Sequence, residues 1–400
     1  MKTIGLLQNT VQHYAWGSPT SLPQLLGKKN PSGRPWAELW MGAHPKAPSL
    51  VNYEGRWVSL KDLIEQHAQD MLGQRAAARF NNTLPYLFKV LAVAKPLSIQ
   101  AHPSLEQAKA GFERENEQGI ALDAPHRNFK DDNHKPECIC AMSKFYALCG
   151  FRNITDIVGM MSAGCPQGLA DELKNLKKNS GSRGLKTFFI ALMNMDSRRR
   201  KRVIDETLQN IDKFPDKPLK HWLKKLATEY PTDIGILSPI FLNLICLDPG
   251  QALFLPAGEL HAYLEGLGIE LMANSDNVLR GGLTVKHIDI PQLMKVVHFG
   301  PRTVDILPAA ANGENEKIYF NPSEEFILSS ICVAGQSRYE SSTSRSIEIL
   351  LCTDGQACIK DYGAEDILKI EKGNSVIIPA AVKRYAISGD AVFYKAAVPI

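Results

Sequence analysis

No apolar run in the chain approaches the ~18 residues that a membrane-crossing helix needs. The opening segment, MKTIGLLQNTVQHYAWGS, also lacks the apolar core of a secretory signal. These two absences lead to the expectation of a cytoplasmic protein. The cysteines show no pairing rhythm: Cys138, Cys140, Cys149, Cys165, Cys246, Cys332, Cys352 and Cys358 are scattered through apolar segments, as reduced thiols in a core would be. Charge of one sign is scarce, since 46 Lys and Arg against 42 Asp and Glu leave +4 over 400 residues. That balance suits an anionic small molecule and gives no argument for nucleic acid. The one basic run, Ser197 to Arg202, has no interleaved aromatics and reads as a solvated helix start. Neither a GxGxxG loop nor a P-loop is present, so any phosphate must be held by side-chain cations.

What the chain does have is concentrated between Gly250 and Lys286, GQALFLPAGELHAYLEGLGIELMANSDNVLRGGLTVK. Ala252 to Leu255 is a short apolar run bounded by Pro249-Gly250 and by Pro256 and Gly258, which reads as a strand ended by a sharp turn. His261 opens the next strand. The spacing from Gly250 through Pro256 and Gly258 to His261 resembles the second sequence motif of the cupin β-barrels. Glu270, Asp276, Arg280 and Lys286 follow, an unusual density of charge for so apolar a segment.

Taken in order, residues 1–60 mix short strands and Trp-rich loops, with Trp16, Trp36, Trp40 and Glu38 suited to line a pocket or cover a barrel mouth. Residues 60–80 have helical spacing, with Leu60, Leu63, Ile64 and His67 packing on one side. Tyr86 to Val93 reads as a buried strand. From Leu97 to His102 the residues alternate, so Ser98, Gln100 and His102 share one strand face. Ser104 and Gln107 stand at capping-box positions for a helix over 104–116. Beyond a polar loop, Lys135, Glu137, Ile139 and Ala141 fall on one face. Cys138 and Cys140 lie on the other, without the second Cys pair a zinc knuckle would need.

Leu169, Leu173 and Leu176, then Phe188, Phe189 and Leu192, then Val203, Ile204 and Leu208, then Trp222, Leu223 and Leu226 recur at helical spacing. The expected architecture is therefore mainly β with an α-helical insert: two cupin-like β-barrels plus an all-helical domain. Residues 1–152 with 240–308 form the catalytic cupin domain, 153–239 the helical domain, and 309–400 a C-terminal cupin-like domain. Within the last, residues 309–317 read as a linker. Gly373 and Pro379 repeat the spacing of Gly250 and Pro256, but Ala381 and Arg384 stand where Gly258 and His261 would be. The C-terminal copy thus lacks the metal site.

Gln100, His102, Glu137 and His261 can be gathered on inward faces of one barrel, two imidazoles and two oxygen donors that suit zinc. Fe(II) or Mn(II) would accept the same set. Glu106 rivals Glu137 by cupin spacing, but it falls on the helix after Pro103.

The sequence strongly resembles type I mannose-6-phosphate isomerase (phosphomannose isomerase), a zinc enzyme family of the cupin superfamily. The matching segments are YAWGS (14–18), AELWMGAHP (37–45), LSIQAHP (97–103), DNHKPE (132–137) and HAYLEGLGIELMANSDNVLRGGLTVK (261–286). The resemblance implies one zinc ion per chain bound by Gln100, His102, Glu137 and His261. It also implies a sugar phosphate substrate held by a group drawn from Ser98, Lys89, Lys135, Arg280 and Lys286. The implied reaction interconverts mannose 6-phosphate and fructose 6-phosphate through a cis-enediol. Arg280 then stabilises charge or holds substrate, and Lys135, Glu270, His134 and Asp276 are the candidates for proton transfer. A monomer is expected.

Overall fold

A computed structural model describes residues 1–400 except Cys165 and Asp366. Its organising element is the long strand His261–Ala273, which changes partners halfway. His261 to Glu265 pairs with Phe145–Phe151, and Gly266 to Ala273 lies between Tyr86–Val93 and Glu137–Ala141. The bend between the halves falls at Gly266, whose φ is +135° and where a Cβ would come within 2.7 Å of the Lys144 carbonyl. Only glycine fits there.

This strand belongs to a sheet ordered Leu242–Leu247, Phe145–Phe151, His261–Ala273, Tyr86–Val93, Glu38–Gly42, Thr10–Gln12. Ile99–Ala101, Leu279–Gly282, Ala252–Leu255 and Glu137–Ala141 pair alongside. A second sheet runs Ala309–Asn312, Glu316–Tyr319, Ile327–Val333, Tyr385–Ala397, Glu348–Asp361, Ser375–Ile378, Gly5–Gln8, Leu50–Tyr53, Arg56–Ser59. Both are open sheets, not the closed barrels expected. Each curls because a long strand bulges and switches neighbours, at Tyr263/Glu265 in one and Cys352/Asp354 in the other, so curvature arises without ring closure. The N-terminal strand Gly5–Gln8 completes the second sheet by pairing with Ser375–Ile378, tying the two ends of the chain together.

The helical insert runs from Ile154 to Phe241, and its expected inward residues are buried, Trp222, Leu223 and Leu226 among them. The helix Ser197–Gln209 starts under the Asp196 carboxylate, which accepts from the Arg199 N–H, and its basic first turn is largely solvated.

Three local expectations need correction. Residues 60–80 form three short helices, Leu60–Gln66, Ala68–Leu72 and Gln74–Arg79, because His67 and Gly73 interrupt them. His67 is exposed and does not pack. Residues 309–317 are no linker: Ala309–Asn312 and Glu316–Tyr319 make a hairpin that turns at Gly313 (φ +78°) and pairs onward with Ile327–Val333. Small residues there read as loose chain until the neighbouring strand supplies partners. Among the cysteines, Cys138, Cys140, Cys149 and Cys352 are buried free thiols, whereas Cys246 and Cys332 are exposed and not in the core as expected, and Cys165 lies outside the described residues. No described helix is long and apolar enough to cross a membrane.

Candidate metal and sugar-phosphate site

The P-x-G turn does the first placing. Gly258 has φ +80°, its N–H donates to the His102 carbonyl at 2.8 Å, and a Cβ there would meet the Val296 carbonyl at 2.9 Å. The strand that follows begins at His261, directly opposite Gln100, and Gln100 is opposite Arg280 on the next strand. Residues facing each other across antiparallel strands share a side of the sheet, so His261, Gln100 and Arg280 point the same way. His102 follows Gln100 at the same-face spacing, and Glu137 enters from the strand paired with the far half of His261–Ala273.

His102, Glu137 and His261 converge with ligand atoms all within 4.8 Å of one another. His102 Nε2 lies 3.2 Å from Glu137 Oε1, and His261 Nε2 lies 3.2 Å from Glu137 Oε2. Each imidazole is oriented from behind: His102 Nδ1 donates to the Asn277 carbonyl at 2.6 Å and His261 Nδ1 to the Glu259 carbonyl at 2.9 Å. With the proton on Nδ1, each Nε2 presents a lone pair to a carboxylate oxygen. His102 Nε2 and His261 Nε2 are buried with no hydrogen-bond partner, and Glu137 Oε1, also buried, faces only the Lys135 ammonium beside them. Lone pairs turned inward on one point are costly unless a cation lies between them. Metal–donor bonds of ~2.1 Å in tetrahedral array put neighbouring donors about 3.4 Å apart, close to the spacing here. The residues fit the metal.

Electrostatics agree. Burial, followed by the nearby Lys135 ammonium, pushes the His102 imidazole down to about 4, so it is neutral and able to ligate at pH 7. Burial alone would raise the Glu137 carboxyl, but Lys135 and His102 overturn this and hold it well below the usual range. Lys135 Nζ is 2.8 Å from Glu137 Oε1. Glu106, the rival ligand, sits exposed in the first turn of Leu105–Glu117.

A second buried group lies along the same sheet. Lys89 Nζ is 3.1 Å from Glu270 Oε2 and 3.6 Å from Glu38 Oε2, and sits 5.2 Å from the Trp40 ring centre. Burial opposes the Lys89 charge, but Glu38 and Glu270 outweigh it and hold the ammonium above its ordinary value. Burial raises the Glu270 carboxyl, partly offset by Lys89.

Ser98, Gln100, Arg280 and Lys286 line a cavity of about 430 Å³ together with Trp16 and Tyr230. Arg280 makes no hydrogen bond or ion pair among the described residues. Its guanidinium is shifted down by burial, and that of the Lys286 ammonium by burial and by neighbouring Arg280 and Lys130. Glu229 in the same lining is paired with Lys95 at 3.2 Å, which leaves Arg280 and Lys286 as cations without a carboxylate partner, a ready anion site.

The remaining expected residues are engaged elsewhere. His134 Nε2 meets Glu325 Oε1 at 2.6 Å, and Asp276 is held by Lys46 Nζ at 2.6 Å with His44 Nε2 at 3.6 Å. Lys89, expected with the phosphate group, is not among the residues lining the Arg280 cavity. Sequence reasoning offered Glu38 only as a pocket-lining acid beside the Trp residues, and passed over Asn277 and Glu259. Glu38 carried a signal, a single acid in an otherwise apolar strand. Asn277 and Glu259 act through backbone carbonyls, which leave none.

Comparison with known proteins gives the same address. Family models described as phosphomannose isomerase type I, catalytic domain, its helical insertion domain, and mannose-6-phosphate isomerase, cupin domain, match residues 4–154, 167–242 and 315–396. Mannose-6-phosphate isomerase of Salmonella typhimurium is 41% identical over 378 residues, covering 94% of each chain. This chain belongs to the type I mannose-6-phosphate isomerase family. The Homo sapiens enzyme is 33% identical over 405 residues, covering 94% of this chain and 93% of its own. A solved holo, zinc-bound mannose 6-phosphate isomerase superposes with a TM-score of 0.92 at 37% identity, covering 99% of this chain and all of that one. Along this chain the helical match falls between the catalytic and the cupin matches.

Proposed function

We propose that this member of the family is a zinc-dependent aldose–ketose isomerase that interconverts mannose 6-phosphate and fructose 6-phosphate through a cis-enediol. One observation carries the reading: two imidazole lone pairs and a carboxylate aimed at one buried point, beside a cavity with unpaired Arg280 and Lys286. His102, Glu137 and His261 would hold the zinc, with Gln100 reaching it from its position opposite His261. When bound, the ion supplies Lewis acidity near the sugar oxygens.

The chain's own residues do the rest. Arg280, Lys286 and Ser98 clamp the phosphate, and Arg280 also faces charge that develops on the sugar. Lys89, Glu38 and Glu270 form a polar floor on which the hydroxyls can rest. Moving the proton between C2 and C1 needs one group that both takes and returns it. Lys135 and Glu270 are the better placed of the four candidates, because His134 is committed to Glu325 and Asp276 to Lys46. Residues 1–152 with 240–308 would then be the catalytic unit, 153–239 the helical insert and 309–400 the C-terminal unit of a cytoplasmic monomer.

Purified protein should form fructose 6-phosphate from mannose 6-phosphate, lose this on full chelation, regain it with zinc, and carry about one zinc per chain. Turnover that survives complete metal removal would overturn the reading. Oxygen consumption would point to an oxygenase, and saturable substrate binding without turnover to a sugar-phosphate binder.

A further inference from the structure

A cavity of about 690 Å³ on the second sheet is built on the C-terminal unit and takes no part in the site above. Its wall repeats a pattern already seen. Lys395 Nζ lies 2.6 Å from Glu316 Oε1 and 3.6 Å from Glu348 Oε1, with the Tyr339 ring centre at 5.4 Å. Lys89 has the same surroundings in the catalytic sheet: a lysine between two glutamates, over an aromatic ring. Strand register shows why the groups meet. Ser329 and Leu350 are opposite Lys395, Ala397 is opposite Glu348, and Ile318 is opposite Ser329. Glu316, Ser329, Lys395 and Glu348 therefore share one face of the sheet, which further along is apolar with Ile331, Leu350 and Phe393.

Arg345 completes the wall. Nη1 lies 3.2 Å from Glu348 Oε2, while Nε is buried without a hydrogen-bond partner. Four ionised side chains, all buried or nearly so, surround a void that apolar residues would have filled at less cost. Chemistry narrows the ligand. Glu316 and Glu348 match Lys395 and Arg345, and Arg338 in the same lining pairs with Glu340 at 2.9 Å, so no cation is left over for a phosphate, unlike Arg280 and Lys286. A metal lacks its imidazole, since Arg384 stands at the position equivalent to His261 and pairs with Glu340 at 3.3 Å. What such a wall recognises is hydroxyl groups, which donate to carboxylates and accept from Lys, Arg and serine. Ser329, Ser341, Ser342, Ser344 and Ser346 add to the lining. The volume falls within the ~300–1,000 Å³ usual for small-molecule sites.

We propose that the cavity of the C-terminal sheet is a second, non-catalytic site for a neutral sugar or polyol. The likeness to Lys89 borrows from the sugar-handling role proposed above; the cavity and its balanced charge stand without it.

The test titrates zinc-loaded protein with D-mannose by ligand-observed NMR, with D-mannose 6-phosphate as competitor. Two variants serve. Ser344→Trp fills the mouth from an exposed position, and Lys395→Met removes the central cation. D-mannose should bind saturably, and Ser344→Trp should weaken that binding about tenfold or more while isomerase turnover is unchanged. Lys395→Met should weaken it likewise wherever the variant folds. Absence of saturable binding at tens of millimolar, binding untouched by Ser344→Trp, or equal competition by the phosphorylated sugar at this site would each overturn the proposal. A protein that binds D-mannose here yet has no isomerase activity would sink the proposed function and leave this site standing.

Discussion

Asn277 serves the metal site twice from one position. Its carbonyl orients His102, while its side chain accepts from the Lys130 N–H at 2.6 Å and donates to the Asn133 carbonyl at 2.9 Å. It is fully buried, so the loop before Lys135 and the His102 ring share one anchor. Removing the amide by Asn277→Ala strands several backbone groups and frees the loop. Groups that orient metal-bound histidines typically contribute ~10–100-fold in affinity. Zinc affinity of Asn277→Ala, measured against a competing chelator, should fall by about tenfold or more. Retention of wild-type affinity would show that the Asn277 carbonyl holds its place without the side chain. The cluster of His102, Glu137 and His261 was legible in sequence because strand alternation and the P-x-G turn fix which way each points. Asn277 was not, since its work is done by a carbonyl that every residue possesses.

At the scale of elements, the P-x-G turn decides where His261 points. Alanine at Gly258 would have to hold φ +80° and press its Cβ to 2.9 Å from the Val296 carbonyl. Gly258→Ala should cost about 1–3 kcal/mol of stability, read by denaturant unfolding, and should loosen zinc as His261 shifts. Unchanged stability would mean that the turn relaxes freely. The C-terminal echo supports the logic: Gly373 keeps φ +87° like Gly250 at +85°, while the residue matching Gly258 is alanine and no ligand follows. Local signals of this kind carried well. The Ser104–Gln107 capping box forms as its spacing demands, with Ser104 Oγ accepting from the Gln107 N–H. Where small and polar residues carry little strand propensity, local signals failed, as in the hairpin within 309–319, which pairs onward with Ile327–Val333.

Across the whole molecule, the two sheets are joined at His134 and Glu325. Burial favours the neutral Glu325 carboxyl, but hydrogen bonds from His134 and Ser323 prevail and bring it from 4.5 to about 2. Its folded value is depressed, so between about 4.5 and 2 the unfolded chain takes up a proton that the folded chain refuses. The stability from this contact is complete above that window and is lost as pH falls through it. Comparing unfolding free energies of wild type and Glu325→Gln, the wild-type advantage should be constant near neutrality and shrink steadily below pH about 4.5. A difference that does not change with pH would show that Glu325 is not the titrating partner.

Sequence alone determined the elements and the members of the metal-capable cluster: which runs form strands, which recur as helices, and that His102, Glu137 and His261 can meet. Those are consequences of side-chain spacing and turn residues, which act over a few positions. Tertiary structure alone decided that the sheets stay open, that Gly5–Gln8 extends the C-terminal sheet, and that Lys89 lies between Glu38 and Glu270. It also decided that His134 and Asp276 are already engaged. Each of these depends on which distant strand supplies the other half of a hydrogen-bond ladder or ion pair, and that choice is made by packing the whole chain at once.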